Sequence, residues 1–171
     1  NSSDTFLEAS TNLQNISSKY KKLDPLFHVK ECFVPEPGCY IGAADLSQAE
    51  ARVAAWMCED ELAIQQYVDG IDRYRFLAAG VLFDDPSRGA EITTPQRNVI
   101  GKMGLLALQY GVGARTYMQQ ANSDVDITGF LLDLRTAEKT ERAFHELWPG
   151  YRRWHAAVEA EVCEKGFLTN P

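Results

Sequence analysis

Gly70, Gly111, Pro149 and Gly166 cut this chain into runs of helical length, and within each run apolar residues recur every three or four positions. That punctuation constrains the fold more than any other feature. Glycine ends helices because it takes the left-handed conformation without a Cβ penalty, and proline cannot continue one. The spacing predicts helices from Ser47 through Met57, over about 60–69, and from Asp72 to Phe83 with Phe76, Leu77, Val81 and Leu82 inward. Another runs from a Thr94 hydroxyl cap and Pro95 to about Tyr110. Two more carry Ala137, Phe144, Leu147 and Trp148, then Tyr151, Trp154, Val158 and Val162. Residues 84–89 and 122–129 read as polar breaks, and 1–30 as mostly irregular. One segment reads differently. Residues 39–44 are short, apolar and bounded by Pro35, Pro37 and Gly38, which predicts a buried strand ending at Asp45. The expected fold class is mainly α with a small β element, α+β.

At 171 residues and 45% hydrophobic content the chain can fill one packed domain or a piece of a larger one. A net charge of −7 argues against a free-standing, sequence-independent DNA binder. Lys19, Lys21, Lys22, His28 and Lys30 form a local basic segment. Cys32, Cys39, Cys58 and Cys163 form no C-x-x-C pair, so reduced intracellular thiols are expected rather than zinc. No apolar run is long enough to span a membrane. The N-x-S patterns at Asn1 and Asn15 are read as chance.

Two stretches carry chemistry. The first is "DLSQAEAR", residues 45–52. Ser47 and Glu50 have the spacing of a capping box, and Glu50 and Arg52 could be plain surface residues. A cap does not explain Asp45. A carboxylate at the C-terminal end of a buried strand sits where metals and substrates are commonly met. The second is "TPQRNVIGKMGLLALQYGVG", residues 94–113. Asn98, Lys102, Leu106 and Tyr110 fall four apart on one face. Arg97 and Lys102 lie near the positive end of the helix dipole, where phosphates bind readily. Gly101 and Gly104 weaken the helix by about 1 kcal/mol each relative to Ala, which points to close approach by something else.

Together the two stretches resemble motifs A and B of the family A DNA polymerases. Asn12-Leu13-Gln14-Asn15-Ile16, the Phe33-Val34-Pro35 approach to motif A, Gly70-Ile71-Asp72 and the "FHELWPGY" stretch from Phe144 to Tyr151 are similar to further segments of that family, in the same order. The resemblance implies a palm portion over 1–58, with the palm strand and motif A, and a helical fingers portion over 59–171. It implies template-directed nucleotidyl transfer from a dNTP to a primer 3′-hydroxyl, with two Mg²⁺ ions about 3.5–4 Å apart. By that resemblance Asp45 bridges the metals and the Leu46 carbonyl is a further ligand. Lys102 neutralises the triphosphate and assists the leaving pyrophosphate as an acid. Glu50, helped by Tyr110, excludes a ribose 2′-hydroxyl. Gln48, Arg52, Tyr74, Arg97, Asn98, Leu106 and Gly111 fall at substrate positions. The implied partners are a DNA primer-template, a dNTP and the rest of the polymerase chain, in the cytoplasm of a bacterial or phage-infected cell.

Four positions depart from the family pattern. Arg97 precedes Lys102 by five residues instead of four, which turns it by roughly 100° about the helix. Asn98 takes the usual place of that arginine. Leu106 stands where an aromatic is usual, and Tyr74 where a histidine is. Leu46 replaces the aromatic after the motif A aspartate. These changes suggest a divergent, phage-like branch. Motif C, with its second metal-binding aspartate, is expected beyond Pro171 and the thumb before Asn1, so the chain by itself is expected not to polymerise DNA. A partly exposed apolar surface is expected where the missing palm strands would pack. Two rivals compete with this reading. One is a non-catalytic helical module binding nucleic acid or protein through Arg97 and Lys102. The other is a metal phosphohydrolase using Asp45 and Glu50, although His28, His145 and His155 are far from Asp45 in sequence.

Overall fold

The computed structural model describes residues 34–42, 46–123 and 125–167. The chain divides into two compact units, Asn1–Asp45 and Leu46–Pro171. In the first, residues 34–42 are exposed and irregular. One turn interrupts them, where the Cys39 N–H donates to the Glu36 carbonyl at 2.9 Å and Gly38 has φ 83°. The strand expected over 39–44 does not form at 39–42, and Tyr40 is 97% exposed. Residues 43–45 lie outside the described residues, as do the basic segment and the Asn12–Ile16 motif. Short apolar runs do not reveal whether a pairing partner exists, and a strand without one is not stable. Among the described residues there is no strand at all, so the α+β expectation is corrected to a helical fold.

The second unit is a stack of helices: α1 (Ala49–Met57), α2 (Glu61–Val68), α3 (Arg73–Phe83), α4 (Thr94–Gln96), α5 (Gly104–Gln109), α6 (Ala114–Asn122), α7 (Val125–Thr128), α8 (Leu134–Leu147) and α9 (Pro149–Lys165). A 3₁₀ segment spans Pro86–Glu91, and a π segment, Arg97–Met103, joins α4 to α5 in one continuous rod. The predicted helices are all present. The expected breaks each hold a short piece of helix, the 3₁₀ segment and α7.

α3 is the centre of the stack. It packs against the 3₁₀ segment, the π segment and α8, and it buries Tyr74, Leu77, Ala78, Ala79 and Val81. Val99, Ile100, Leu105 and Leu108 of the rod, Tyr117 of α6 and Phe144 of α8 complete the core. The two rod glycines explain themselves here. A Cβ on Gly101 would collide with the Tyr74 backbone carbonyl, and one on Gly104 would lie 3.0 Å from Thr140 Cγ2 and 3.1 Å from the Tyr117 hydroxyl. The Tyr117 hydroxyl donates to the Val99 carbonyl at 2.8 Å. It thereby satisfies a backbone acceptor inside the π segment.

Polar groups fasten α2 to α9. Asp60 caps α2, accepting from Ala63 N–H at 3.0 Å, and its other oxygen accepts from Gly150 N–H at 2.8 Å. Trp148 Nε1 donates to Gln66 Oε1 at 3.0 Å. Arg73 is fully buried, with its guanidinium 4.8 Å from the Tyr67 ring and 4.1 Å from the Trp148 ring. Such faces attract a desolvated cation. The outward surface of α1 and α2 is apolar instead: Val53, Trp56, Leu62 and Val68 are 47–74% exposed. An open groove of about 770 Å³ runs past Trp56, Met57, Ile64 and Trp154.

Candidate functional site

The site is built where α1 meets the far end of the rod. α1 starts at Ala49, and Gln48 before it is left-handed, with φ 56° and ψ 36°. The expected Ser47–Glu50 capping box does not form, and no side chain caps α1. A capping residue needs extended backbone. Here Ser47 and Gln48 instead turn tightly, so that the Ala49 N–H donates to the Leu46 carbonyl at 3.3 Å. Arg52 braces this turn. Its Nε donates to the Ser47 carbonyl at 2.9 Å, and its guanidinium lies 4.6 Å over the Tyr67 ring of α2. Gln48 keeps a buried amide oxygen without a hydrogen-bond partner. Leu46 is 80% exposed, and Asp45 lies outside the described residues.

Released from capping, Glu50 reaches the rod. The Tyr110 hydroxyl donates to Glu50 Oε2 at 3.2 Å, across 60 residues of sequence. Partial desolvation, and then the Glu50 carboxylate, hold the Tyr110 phenol above its ordinary pKa. The two residues that the motifs paired are therefore in direct contact, both on the exposed surface.

The start of the rod is set by Thr93 rather than Thr94. Thr93 Oγ1 accepts from Gln96 N–H at 3.5 Å, and Gln96 Oε1 accepts from Thr93 N–H at 2.9 Å. A glutamine three residues on completes the box for Thr93, whereas Thr94 would have Arg97 there. Arg97 is held sideways: its Nε donates to Asp72 Oδ2 at 2.7 Å, and its guanidinium stands 5.0 Å over the Tyr74 ring. Asp72 also caps α3 through the Tyr74 and Arg75 amides, at 3.1 and 3.2 Å. Tyr74 is 5% exposed, and burial raises its phenol pKa. Arg97, Tyr74 and Asp72 thus form one cluster at the α3 cap, and Asp72 is a member that the sequence marked only through G-x-D.

Lys102 is exposed, and no carboxylate among the described residues pairs with it. Asn98 and Leu106 are half-buried along the same rod. The i→i+5 bonding of Arg97–Met103 widens the turn there, which a sequence with ordinary helical spacing does not announce. Gly111 has φ 74° and closes α5. His155 of α9 sits against that end, with its Nε2 2.9 Å from the Gln109 carbonyl. Nothing in the sequence marks this contact beyond the residue type. His145 is half-buried, and desolvation lowers its pKa.

Among the described residues no group of three or more His, Cys, Asp or Glu side chains could hold a metal. Asp45, expected as the motif A metal ligand, lies outside the described residues.

Comparison with known proteins bears on the whole of this arrangement. The profile of DNA polymerase family A matches residues 5–171. The DNA polymerase of Mycobacterium phage D29 is 28% identical over 148 residues, 84% of this chain and 21% of that protein. DNA polymerase I of Aquifex aeolicus is 28% identical over 158 residues, 92% of this chain and 25% of that protein. DNA polymerase I of Chloroflexus aurantiacus is 30% identical over 143 residues, 84% of this chain and 14% of that protein. The chain spans a quarter or less of the length of these relatives, and a phage and a bacterial protein match it equally well. The match over nearly every residue, in line with the paired motifs, shows that this chain belongs to DNA polymerase family A.

Proposed function

We propose that this chain is the nucleotide-binding part of a template-directed DNA polymerase, which joins a dNTP to a primer 3′-hydroxyl and releases pyrophosphate. The observation that carries this reading is the Tyr110–Glu50 hydrogen bond, which joins motif A to the end of motif B. An exposed carboxylate–phenol pair beside the sugar leaves no room for a 2′-hydroxyl, and it desolvates one if it enters. Lys102, exposed and with no carboxylate paired to it among the described residues, is available to neutralise the triphosphate. Arg97 is turned toward Asp72 and stabilises the start of α3; it meets a phosphate only by leaving that ion pair. Arg52 holds the turn that carries Leu46, and so the direction in which motif A points. Mg²⁺, when bound by Asp45 and the Leu46 carbonyl, supplies positive charge at the reacting phosphate. The exposed apolar face of α1 and α2 is read as a seat for other parts of the polymerase chain.

The test is substitution in the polymerase that contains this chain. Asp45→Asn should abolish primer extension while leaving primer-template affinity within twofold. Retained extension would favour the non-catalytic binding module instead. The 171-residue chain alone, a quarter or less of its relatives' length, is proposed to give no extension in the same assay.

A further inference from the structure

We propose that His155 is a positioning residue for sugar selection: from α9 it fixes the end of the motif B rod, and so aims Tyr110 at Glu50. This rests on the sugar-gate reading of that pair. Tyr110 is 67% exposed, so side-chain packing does not set its direction. Its direction then depends on the backbone beneath it, and His155 of α9 lies against that backbone on both sides of Tyr110. On one side the Gln109 carbonyl lies 2.9 Å from His155 Nε2. A carbonyl only accepts, so Nε2 carries the proton and donates. This carbonyl is one of the last of α5, where no further helical turn supplies a donor. On the other side is Gly111, at φ 74°, where a Cβ would lie 3.9 Å from His155 Cε1. The imidazole therefore occupies the space beside the left-handed glycine. The other end of α9 is itself fixed, through Gly150 N–H on Asp60 and through buried Tyr151. A line of contacts thus runs from the α2 cap along α9 to the gate.

The experiment uses His155→Phe, which keeps a ring and removes the donor, and His155→Gln, which keeps an N–H. In the polymerase that contains this chain, kcat/KM is measured for a dNTP and for the matching rNTP. His155→Phe should lower the preference for dNTP about fivefold, the size of one lost neutral hydrogen bond, with dNTP kcat/KM within twofold. His155→Gln should restore the preference. In the 171-residue chain, NMR titration of Tyr110, assigned with Tyr110→Phe, gives a second readout. His155→Phe should bring the phenol toward its ordinary value, as Glu50→Gln does, and His155→Gln should not. Unchanged selectivity and an unchanged Tyr110 titration in His155→Phe would overturn the proposal, as would a His155→Gln variant no better than His155→Phe. Glu50→Ala separates the two readings. If it leaves selectivity intact, the gate itself fails, whereas the Tyr110 titration still decides whether His155 positions that side chain.

Discussion

Cys58 shows how a residue's surroundings govern its chemistry. It closes α1, is 5% exposed, and its thiol is pushed up to about 11. Burial is the main cause; the Asp60 carboxylate adds to it and the Arg73 guanidinium opposes it. The folded pKa lies above the ordinary value of 9.0. The resulting stability is complete below pH 9 and is lost as pH rises toward 11, because only the unfolded thiol ionises easily in that window. Tyr74 and Tyr151 are raised by burial as well, Tyr151 to about 12, so they extend the loss to higher pH. Chemical unfolding followed from pH 8 to 11 should therefore show falling stability, and Cys58→Ala should flatten the part between 9 and 11. An equal slope in both proteins would refute this account. Cys58 should also alkylate more slowly than exposed Cys39 and Cys163 at pH 8, which a thiol-reagent time course with mass mapping would read.

Glycines in the elements decide how closely helices approach. Gly101 lets α3 touch the rod backbone to backbone, so Gly101→Ala should cost about 1–3 kcal/mol of overpacking despite its better helix propensity. Equilibrium urea unfolding measures it, and a neutral or stabilising result would mean the close approach is not needed. Gly150→Ala should behave alike, since its Cβ would lie 2.7 Å from Asp60 Oδ2. Asp60→Ala should cost roughly 2 kcal/mol, because it removes the α2 cap and strips Gly150 N–H of its acceptor. The helices and their ends were legible in the sequence because Gly70, Gly111, Pro149 and Gly166 act locally. The glycine pair within the rod was legible as a sign of close approach, but the partners, Tyr74 and Tyr117, are long-range and left no mark. The strand expected over 39–44 does not form at 39–42, because a short apolar run carries no information about pairing. The Ser47 cap was misread because spacing shows which side chain could bond and not which backbone conformation the turn adopts.

At the scale of the molecule, the motif order carried the family, while the contacts that fasten distant helices to one another were invisible. The resemblance pairs Glu50 with Tyr110, and the two side chains are in hydrogen-bond contact. Arg73 between Tyr67 and Trp148, and His155 on the rod, are consequences of packing helices that are distant in sequence. Helical periodicity also misleads about which way an apolar stripe points. Val53 and Trp56 of α1 face outward, and it is Ala51, Ala55 and Cys58 that enter the core. The small residues permit close contact with neighbouring helices, and the large ones are left on a surface continuous with Val68 of α2. Water around such a face is displaced by any apolar partner, at about 25 cal/mol per Å² of area removed. The 171-residue chain should therefore bind an environment-sensitive hydrophobic dye while fully folded. Trp56→Lys combined with Val68→Lys should cut that binding severalfold with little change in melting temperature, because both side chains are more than 70% exposed. Dye binding that survives the double substitution would place the apolar surface elsewhere. A large fall in melting temperature would show that these side chains support the fold of this unit rather than await a partner.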